Sequence, residues 1–188
     1  MHKAMKQFPK QKNAPEEPVF AKESDRKATA IGYLRLLLRI VLITLVGLVV
    51  FTKIFLLTQA SGNGMFPSVK DGDLILAFRA QRDYAKNDVV VYTSERETAI
   101  GRIAALEGDV VTIDDSGILL VNGTEQSGEI LYPTYAKQGL TYPYRVPPGT
   151  VFLLGDHRTV ARDSREFGAV PTEHIKGKVI TILRRRGL

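Results

Sequence analysis

Four short motifs carry the residues that could do chemistry, and they follow one another at ordered intervals after residue 60. They are GNGMFPS at 62–68, NDVVVY at 87–92, GRIAALEGD at 101–109 and GDHRTVARDSREFG at 155–168. The chain has no cysteine, and its three histidines, His2, His157 and His174, are scattered. Disulfides and thiolate metal sites are therefore excluded, and no metal-ligand spacing occurs. We expect neither a metal nor any other cofactor.

Short β-branched runs between turn-forming residues predict that these motifs belong to an antiparallel β domain. The runs are LILAF at 74–78, VVVY at 89–92, VVTI at 110–113, ILLV at 118–121, VFLL at 151–154 and VITIL at 179–183. The turns at 114–117 and 122–123 predict successive hairpins, and the second, Asn-Gly, is suited to a type I′ turn. Segment 125–148 is rich in Tyr, Pro and Gly, which predicts an irregular loop over the core.

An apolar stretch at 36–57 predicts a transmembrane helix. At about 1.5 Å per residue it reaches roughly 30 Å, the thickness of a bilayer's hydrocarbon core. Arg39 and Lys53 lie near its ends, where long side chains can reach the headgroups. The alternatives are a buried core helix and a cleaved signal peptide, and the long polar chain before the stretch disfavours the second. The predicted organisation is a basic arm at 1–35, a membrane helix at 36–57 and a β domain at 58–188.

The charge distribution predicts which side of the membrane holds the β domain. Residues 1–39 contain nine Lys or Arg and four Asp or Glu, a net charge of +5, whereas the remainder contains seventeen against sixteen. The positive-inside rule then places the arm in the cytoplasm and the β domain outside the cell membrane. The balanced charge of residues 40–188 argues against a nucleic-acid partner. Acidic membrane lipid is a sufficient partner for the basic arm.

Together the four motifs resemble those of the type I signal peptidases, membrane-anchored serine proteases that remove signal peptides from exported proteins. The resemblance runs from the membrane segment nearly to the C-terminus. The short interval between Asp109 and Gly155 resembles the compact Gram-positive members. The resemblance implies a mainly β fold, partly barrel-like, with a hydrophobic substrate groove near the membrane surface. It also implies a serine nucleophile and a lysine general base that burial keeps neutral.

Both positions of this Ser–Lys dyad are glycine here. Gly64 occupies the position of the family serine, and Gly101 occupies that of the lysine. The neighbouring residues that match the motifs, and that we expect beside the groove, are Met65, Phe66, Pro67, Arg102, Ile103 and Asp109. Glycine supplies neither nucleophile nor base, and loss of a comparable catalytic unit in another serine protease costs on the order of 10⁶ in turnover. The resemblance therefore implies a proteolytically inactive relative.

The last motif is retained as a scaffold. Its matching residues are Gly155, Asp156, Asp163, Ser164, Arg165, Phe167 and Gly168. We interpret them as structural, with Asp163 and Arg165 forming a charge pair that braces the loop beside the groove. Other positions depart from the family pattern, namely Glu107, His157 and Ala161. These further departures favour a natural loss of the dyad over an engineered one.

Three functions remain open at this point. The first is a chaperone or adaptor that binds exported proteins, and it resembles the inactive relatives encoded with Gram-positive pilus components. The resemblance to that subgroup implies that the partner is a pilin and that a sortase acts nearby. The second is an active signal peptidase whose displaced groups would be Ser61 or Ser68 as nucleophile and Lys70 as base. The third is a structural membrane protein without a peptide ligand, which a groove filled by Phe66 or tyrosine side chains would favour.

Overall fold

The computed structural model describes residues 19–94, 97–126 and 131–184, with side chains from residue 29 onward. Two compact units divide between Leu48 and Val49. The first unit contains most of α1, a long helix at Val19–Ile54. The part at Thr29–Ile54 has a mean hydropathy of 2.5 and is long and apolar enough to cross a membrane. The second unit contains the β domain.

The ends of α1 differ from the boundaries that the sequence predicts. The helix begins at Val19, within the predicted basic arm, where Ala, Lys, Glu and Arg favour helix. It ends at Ile54, and the last three residues of the predicted membrane segment belong instead to β1, Phe55–Gln59. Pairing explains this, because β1 bonds along its whole length to the next strand. Residues 1–18 lie outside the described part of the chain.

Ten further strands follow β1. They are β2 Leu74–Phe78, β3 Val89–Ser94, β4 Glu97–Ala105, β5 Val110–Ile113, β6 Leu119–Val121, β7 Thr124–Glu125, β8 Tyr144–Arg145, β9 Thr150–Leu154, β10 Val170–Pro171 and β11 Ile175–Leu183. A short helix, α2 at Ser164–Phe167, and a 3₁₀ turn at Thr172–His174 complete the domain.

The strands form two antiparallel sheets. One has the order β1-β2-β11-β3-β4-β9-β10, and the other has the order β7-β6-β5-β8. The predicted mainly β, antiparallel fold is therefore confirmed. The sheets stay open in the described part of the chain, so the partly barrel-like form that we expected does not extend to a closed barrel.

Local sequence signals located most strands and both hairpin turns. Asn122 and Gly123 both have positive φ, 54° and 79°, as a type I′ turn requires, and Gly117 has a φ of 85°. The sequence signals missed β1, β4, β7, β8 and β10. In β4 the reason is that its residues, ETAIGRIAA, form no β-branched run. The predicted loop at 125–148 is mostly irregular where described, apart from the end of β7 and β8.

The central strands β3 and β9 are buried on both faces. Val90 and Tyr92 enter one core cluster, whereas Val91 enters another on the opposite side. Phe152 and Leu154 of β9 join residues of β5 and β6 in a third cluster, which packs the two sheets together. Burial on both faces explains why VVVY and VFLL are apolar without alternation.

Candidate functional site

An open groove of about 710 Å³ lies where the first, second and last motifs meet. Its walls come from the loop at 60–65, from β4 at 97–100 and from the loop at 155–162. Ala60, Met65 and Val69 are buried and apolar, and all three line the groove. Phe66 is absent from the lining and is 36% exposed, so its side chain does not fill the groove.

Gly64 forms part of the groove wall and is held by backbone contacts. Its carbonyl oxygen accepts a hydrogen bond from the backbone N–H of His157 at 3.0 Å. A Cβ placed on Gly64 would lie 3.6 Å from the Ala161 Cβ, an ordinary contact. By contrast, a Cβ on Gly155 would come within 2.5 Å of the Gly64 oxygen and 2.2 Å of the Ala161 Cβ. Glycine at 155 therefore permits the close approach of the first and last motifs.

Gly101 lies in β4, opposite Val90 of β3. A Cβ placed on Gly101 would lie 3.2 Å from Cε1 of Tyr92 and 3.5 Å from the Leu153 Cβ. The Tyr92 ring therefore covers the space into which a side chain at 101 would project. Tyr92 is 2% exposed and belongs to the groove wall.

Arg102, the next residue, forms an ion pair with Asp156 away from the groove lining. Its Nε and Nη2 donate to the two carboxylate oxygens at 2.7 and 2.6 Å. Nη2 also donates to Ser68 Oγ at 3.3 Å. Burial by itself would raise the pKa of Asp156, but the hydrogen bonds from Arg102 and Ser68 and the charge of Arg102 outweigh it and lower the pKa. The pair joins β4 to the loop that follows β9.

The predicted pair of Asp163 and Arg165 is present and buried. Nε and Nη2 of Arg165 each donate to one carboxylate oxygen at 2.8 Å, and the two side chains are 1% and 3% exposed. Asp163 also accepts from the backbone N–H of Gly155 at 3.1 Å. Arg165 Nη2 donates to the carbonyl oxygen of Arg158 at 2.6 Å. This pair fixes the loop at 155–165 from inside.

The other residues of the last motif are structural as well. The Ser164 hydroxyl accepts the backbone N–H of Leu153 at 2.9 Å, which ties α2 to β9. Phe167 packs on the core and lines the groove. Gly168 ends α2 with a φ of 84°, and its N–H bonds to the Ser164 carbonyl.

The residues that we expected beside the groove divide into two groups. Met65 lies in its lining. The others lie outside that lining, and they are Phe66, Pro67, Arg102, Ile103 and Asp109. Ile103 is fully buried in the core. Asp109 accepts hydrogen bonds from Leu106 N–H and the Asn122 side chain and pairs with Lys86, so it braces a turn.

The three residues considered as displaced catalytic groups, Ser61, Ser68 and Lys70, do not all line the groove. Ser61 is exposed and lines the groove, whereas Ser68 and Lys70 are outside its lining. Ser68 is engaged by Arg102, and Lys70 is exposed. A lysine base of this kind needs burial to lose its proton. Among the described residues, no group of His, Cys, Asp and Glu could hold a metal ion.

Two contributors to the site were not singled out from the sequence. The sequence contained a weak indication of Tyr92, because a tyrosine with its polar hydroxyl ends the apolar run VVVY at 89–92. It contained no indication of Lys137, because the contacts of Lys137 are distant in sequence. Its Nζ donates to the Ala161 carbonyl at 2.6 Å and pairs with Glu166, so the loop near 137 holds the groove wall in place.

Comparison with known proteins identifies the family. A family model described as signal peptidase, peptidase S26, matches residues 33–183. Signal peptidase I of Bacillus caldolyticus is 31% identical over 134 residues, which cover 63% of this chain and 73% of that protein. Signal peptidase IB of Staphylococcus aureus is 30% identical over 138 residues, covering 63% and 72%. A signal peptidase I structure from Enterococcus faecalis V583 aligns at 27% identity with a TM-score of 0.43, covering 53% of this chain and 97% of that one.

The match to the family model spans most of the chain, so the protein belongs to the signal peptidase family, peptidase S26. Its relatives in the comparison are type I signal peptidases, which are serine peptidases.

We predict that Asp163→Asn destabilises the β domain by about 3–5 kcal/mol, because it leaves the Arg165 charge buried without its partner. Chemical denaturation of the full chain in detergent micelles measures the change. Lys178→Met is the matched control, since it breaks the partly exposed ion pair with Asp88 and should cost about 1 kcal/mol or less. Equal losses for the two variants would contradict the structural role of the buried pair.

Gly155→Ala should destabilise the domain by about 3 kcal/mol or more, because the added methyl group would overlap backbone and side-chain atoms that cannot move apart. Gly64→Ala, whose methyl group meets Ala161 at an ordinary distance, should change the stability by less than about 1 kcal/mol. Thermal unfolding of both variants compares them directly. A tolerated alanine at 155 would show that the two loops are not in close contact.

The depressed pKa of Asp156 predicts an acid-sensitive contribution to stability. A carboxyl group whose pKa is lower in the folded state stabilises that state above its unfolded pKa, about 4, and loses this effect as the pH falls through the folded pKa. The difference in unfolding free energy between the wild type and Asp156→Asn should therefore shrink as the pH falls below about 4. Denaturation curves across this range test it, and a constant difference would refute it.

Proposed function

We propose that this chain is a proteolytically inactive member of the signal peptidase family that binds exported proteins at the membrane as a chaperone or adaptor. The observation that carries the proposal is an open groove with Gly64 in its lining and Gly101 behind the Tyr92 ring, at the two positions that the motifs assign to the catalytic dyad. Gly64 and Gly101 offer neither a hydroxyl nor an amine. Apolar residues, namely Ala60, Met65 and Val69, form part of the groove's lining.

The edge of β4 gives the groove a way to hold an extended peptide. β4 pairs with β3 from residue 97 to 102, but with β9 only from Arg102 onward. Residues 97–101 therefore have an open side, and residues 97–100 line the groove. Backbone groups on an open strand edge can pair with an added peptide strand. Binding of this kind requires no catalytic residue.

Features at both ends of α1 support attachment to a cell membrane. The net charge of +5 on residues 1–39 favours a cytoplasmic N-terminus and an extracytoplasmic β domain. At the other end, β1 follows the helix directly and begins an apolar sheet face. Leu57, Leu76 and Leu183 share that face, and Leu57 and Leu183 are more than half exposed. Exposed apolar area of this kind favours a lipid environment.

The proposed partner is a pilin, with a sortase acting beside it. This part of the proposal depends on the resemblance to inactive relatives that are encoded with Gram-positive pilus components. Like that subgroup, this chain has replaced both dyad residues and retained the scaffold motifs.

The test uses the purified full chain in detergent micelles, with a signal-peptide-bearing pilin and a generic preprotein as substrates. We expect no cleavage of either substrate, because removing such a dyad lowers turnover by on the order of 10⁶, and we expect measurable binding of the pilin. An active signal peptidase is the positive control for cleavage. Mass spectrometry detects the product, and fluorescence anisotropy measures binding.

Two matched variants test whether binding occurs in the groove. Val160→Trp adds bulk to an exposed residue of the groove wall and should weaken binding at least about tenfold, equivalent to 1.4 kcal/mol. Ile180→Trp makes the same kind of change at an exposed residue of β11 outside the groove lining, and it should leave binding unchanged. Equal effects would place the binding surface elsewhere.

Other outcomes would favour the two alternative functions. Cleavage that is lost on changing Ser61, Ser68 or Lys70 to alanine would establish an active peptidase with displaced groups. Absence of both cleavage and binding would favour a structural membrane protein.

A further inference from the structure

Tyr92 lines the groove and carries a hydroxyl group. The residue is 2% exposed, and it belongs to the groove wall. Within the described part of the chain, its hydroxyl has no hydrogen-bond partner, although the ring is packed in the core cluster of Val90 and Ile103. Burial, with a smaller contribution from the charge of Asp163, raises the pKa of Tyr92 to about 12. The hydroxyl therefore stays protonated and can donate at neutral pH.

Glycine at 101 gives the Tyr92 ring its position. Tyr92 lies opposite Ala99 in the pairing of β3 and β4, and its Cε1 reaches diagonally to Gly101. An added Cβ on Gly101 would lie only 3.2 Å from that atom. A long side chain at 101 would compete with the ring for the same space. The Tyr92 ring thus uses space that the missing side chain at position 101 leaves free.

An extended peptide supplies the acceptor that this hydroxyl lacks. A peptide on the open edge of β4 would bring backbone carbonyl groups past Ala99 and Gly101, the two residues on which the Tyr92 ring lies. The nearby apolar floor of Ala60 and Met65 reduces competition from water. Hydrogen bonds are electrostatically stronger in such surroundings than in bulk water.

We propose that the Tyr92 hydroxyl donates a hydrogen bond to a backbone carbonyl oxygen of an extended peptide in the groove and so fixes the peptide's register. This inference rests on the proposed function, because it assigns a recognition group to the same groove. No bond is made or broken in the peptide. The hydroxyl acts in binding, at the place where the family mechanism would use a lysine.

Tyr92→Phe tests the assignment, because it removes the hydroxyl and keeps the ring that packs in the core. The probe is a short fluorescent peptide that spans the signal-peptide cleavage region of the pilin precursor, titrated with the full chain in detergent micelles. We expect the variant to bind about three- to tenfold more weakly, as for loss of one neutral hydrogen bond. Tyr135→Phe, at a half-exposed tyrosine outside the groove lining, is the matched control and should bind like the wild type.

Thioamide versions of the peptide identify the acceptor, since sulfur at one backbone carbonyl accepts a hydrogen bond poorly. One substituted position should weaken binding to the wild type and have little effect on binding to Tyr92→Phe. Equal binding by Tyr92→Phe and the wild type, or no position that depends on Tyr92, would overturn this inference and leave the proposed function intact. Failure of the wild type to bind any exported precursor or the probe would overturn both.

Discussion

The buried pair of Asp163 and Arg165 is the interaction on which the groove depends. Two charges at 1% and 3% exposure are tolerated because each is satisfied by the other and by backbone groups. Asp163 accepts a hydrogen bond from the Gly155 N–H, and Arg165 donates one to the Arg158 carbonyl. The loop that forms one wall of the groove is therefore anchored at several points, although it contains little regular structure.

Close backbone packing adds to this electrostatic anchor. Gly155 allows the last motif to touch the carbonyl of Gly64, and the Arg102–Asp156 pair ties β4 to the same loop. Lys137 holds the Ala161 carbonyl from the outside. These contacts do not require a nucleophile or a base. The groove therefore forms with glycine at both 64 and 101.

Glycine at the dyad positions changes what the groove offers a peptide. At Gly64 the backbone itself forms the wall, and at Gly101 the ring of Tyr92 covers the strand. The groove offers an open strand edge, several apolar lining residues and the phenol hydroxyl of Tyr92. Such a set suits reversible binding of an extended segment, as the proposed chaperone or adaptor function requires.

The sequence by itself determined the family motifs, the antiparallel β class, the apolar helix and the two hairpin turns, because these depend on local residue patterns. β2 and β5 match the runs LILAF and VVTI in full. β4 escaped prediction because it lacks a β-branched run, and β1 did so because its first residues continue an apolar helix. The two-residue strands β7, β8 and β10 also escaped prediction. The roles of Tyr92, Lys137 and Ser68 were decided only by tertiary structure, because their contacts join residues far apart in the chain and local sequence carries no record of such distances.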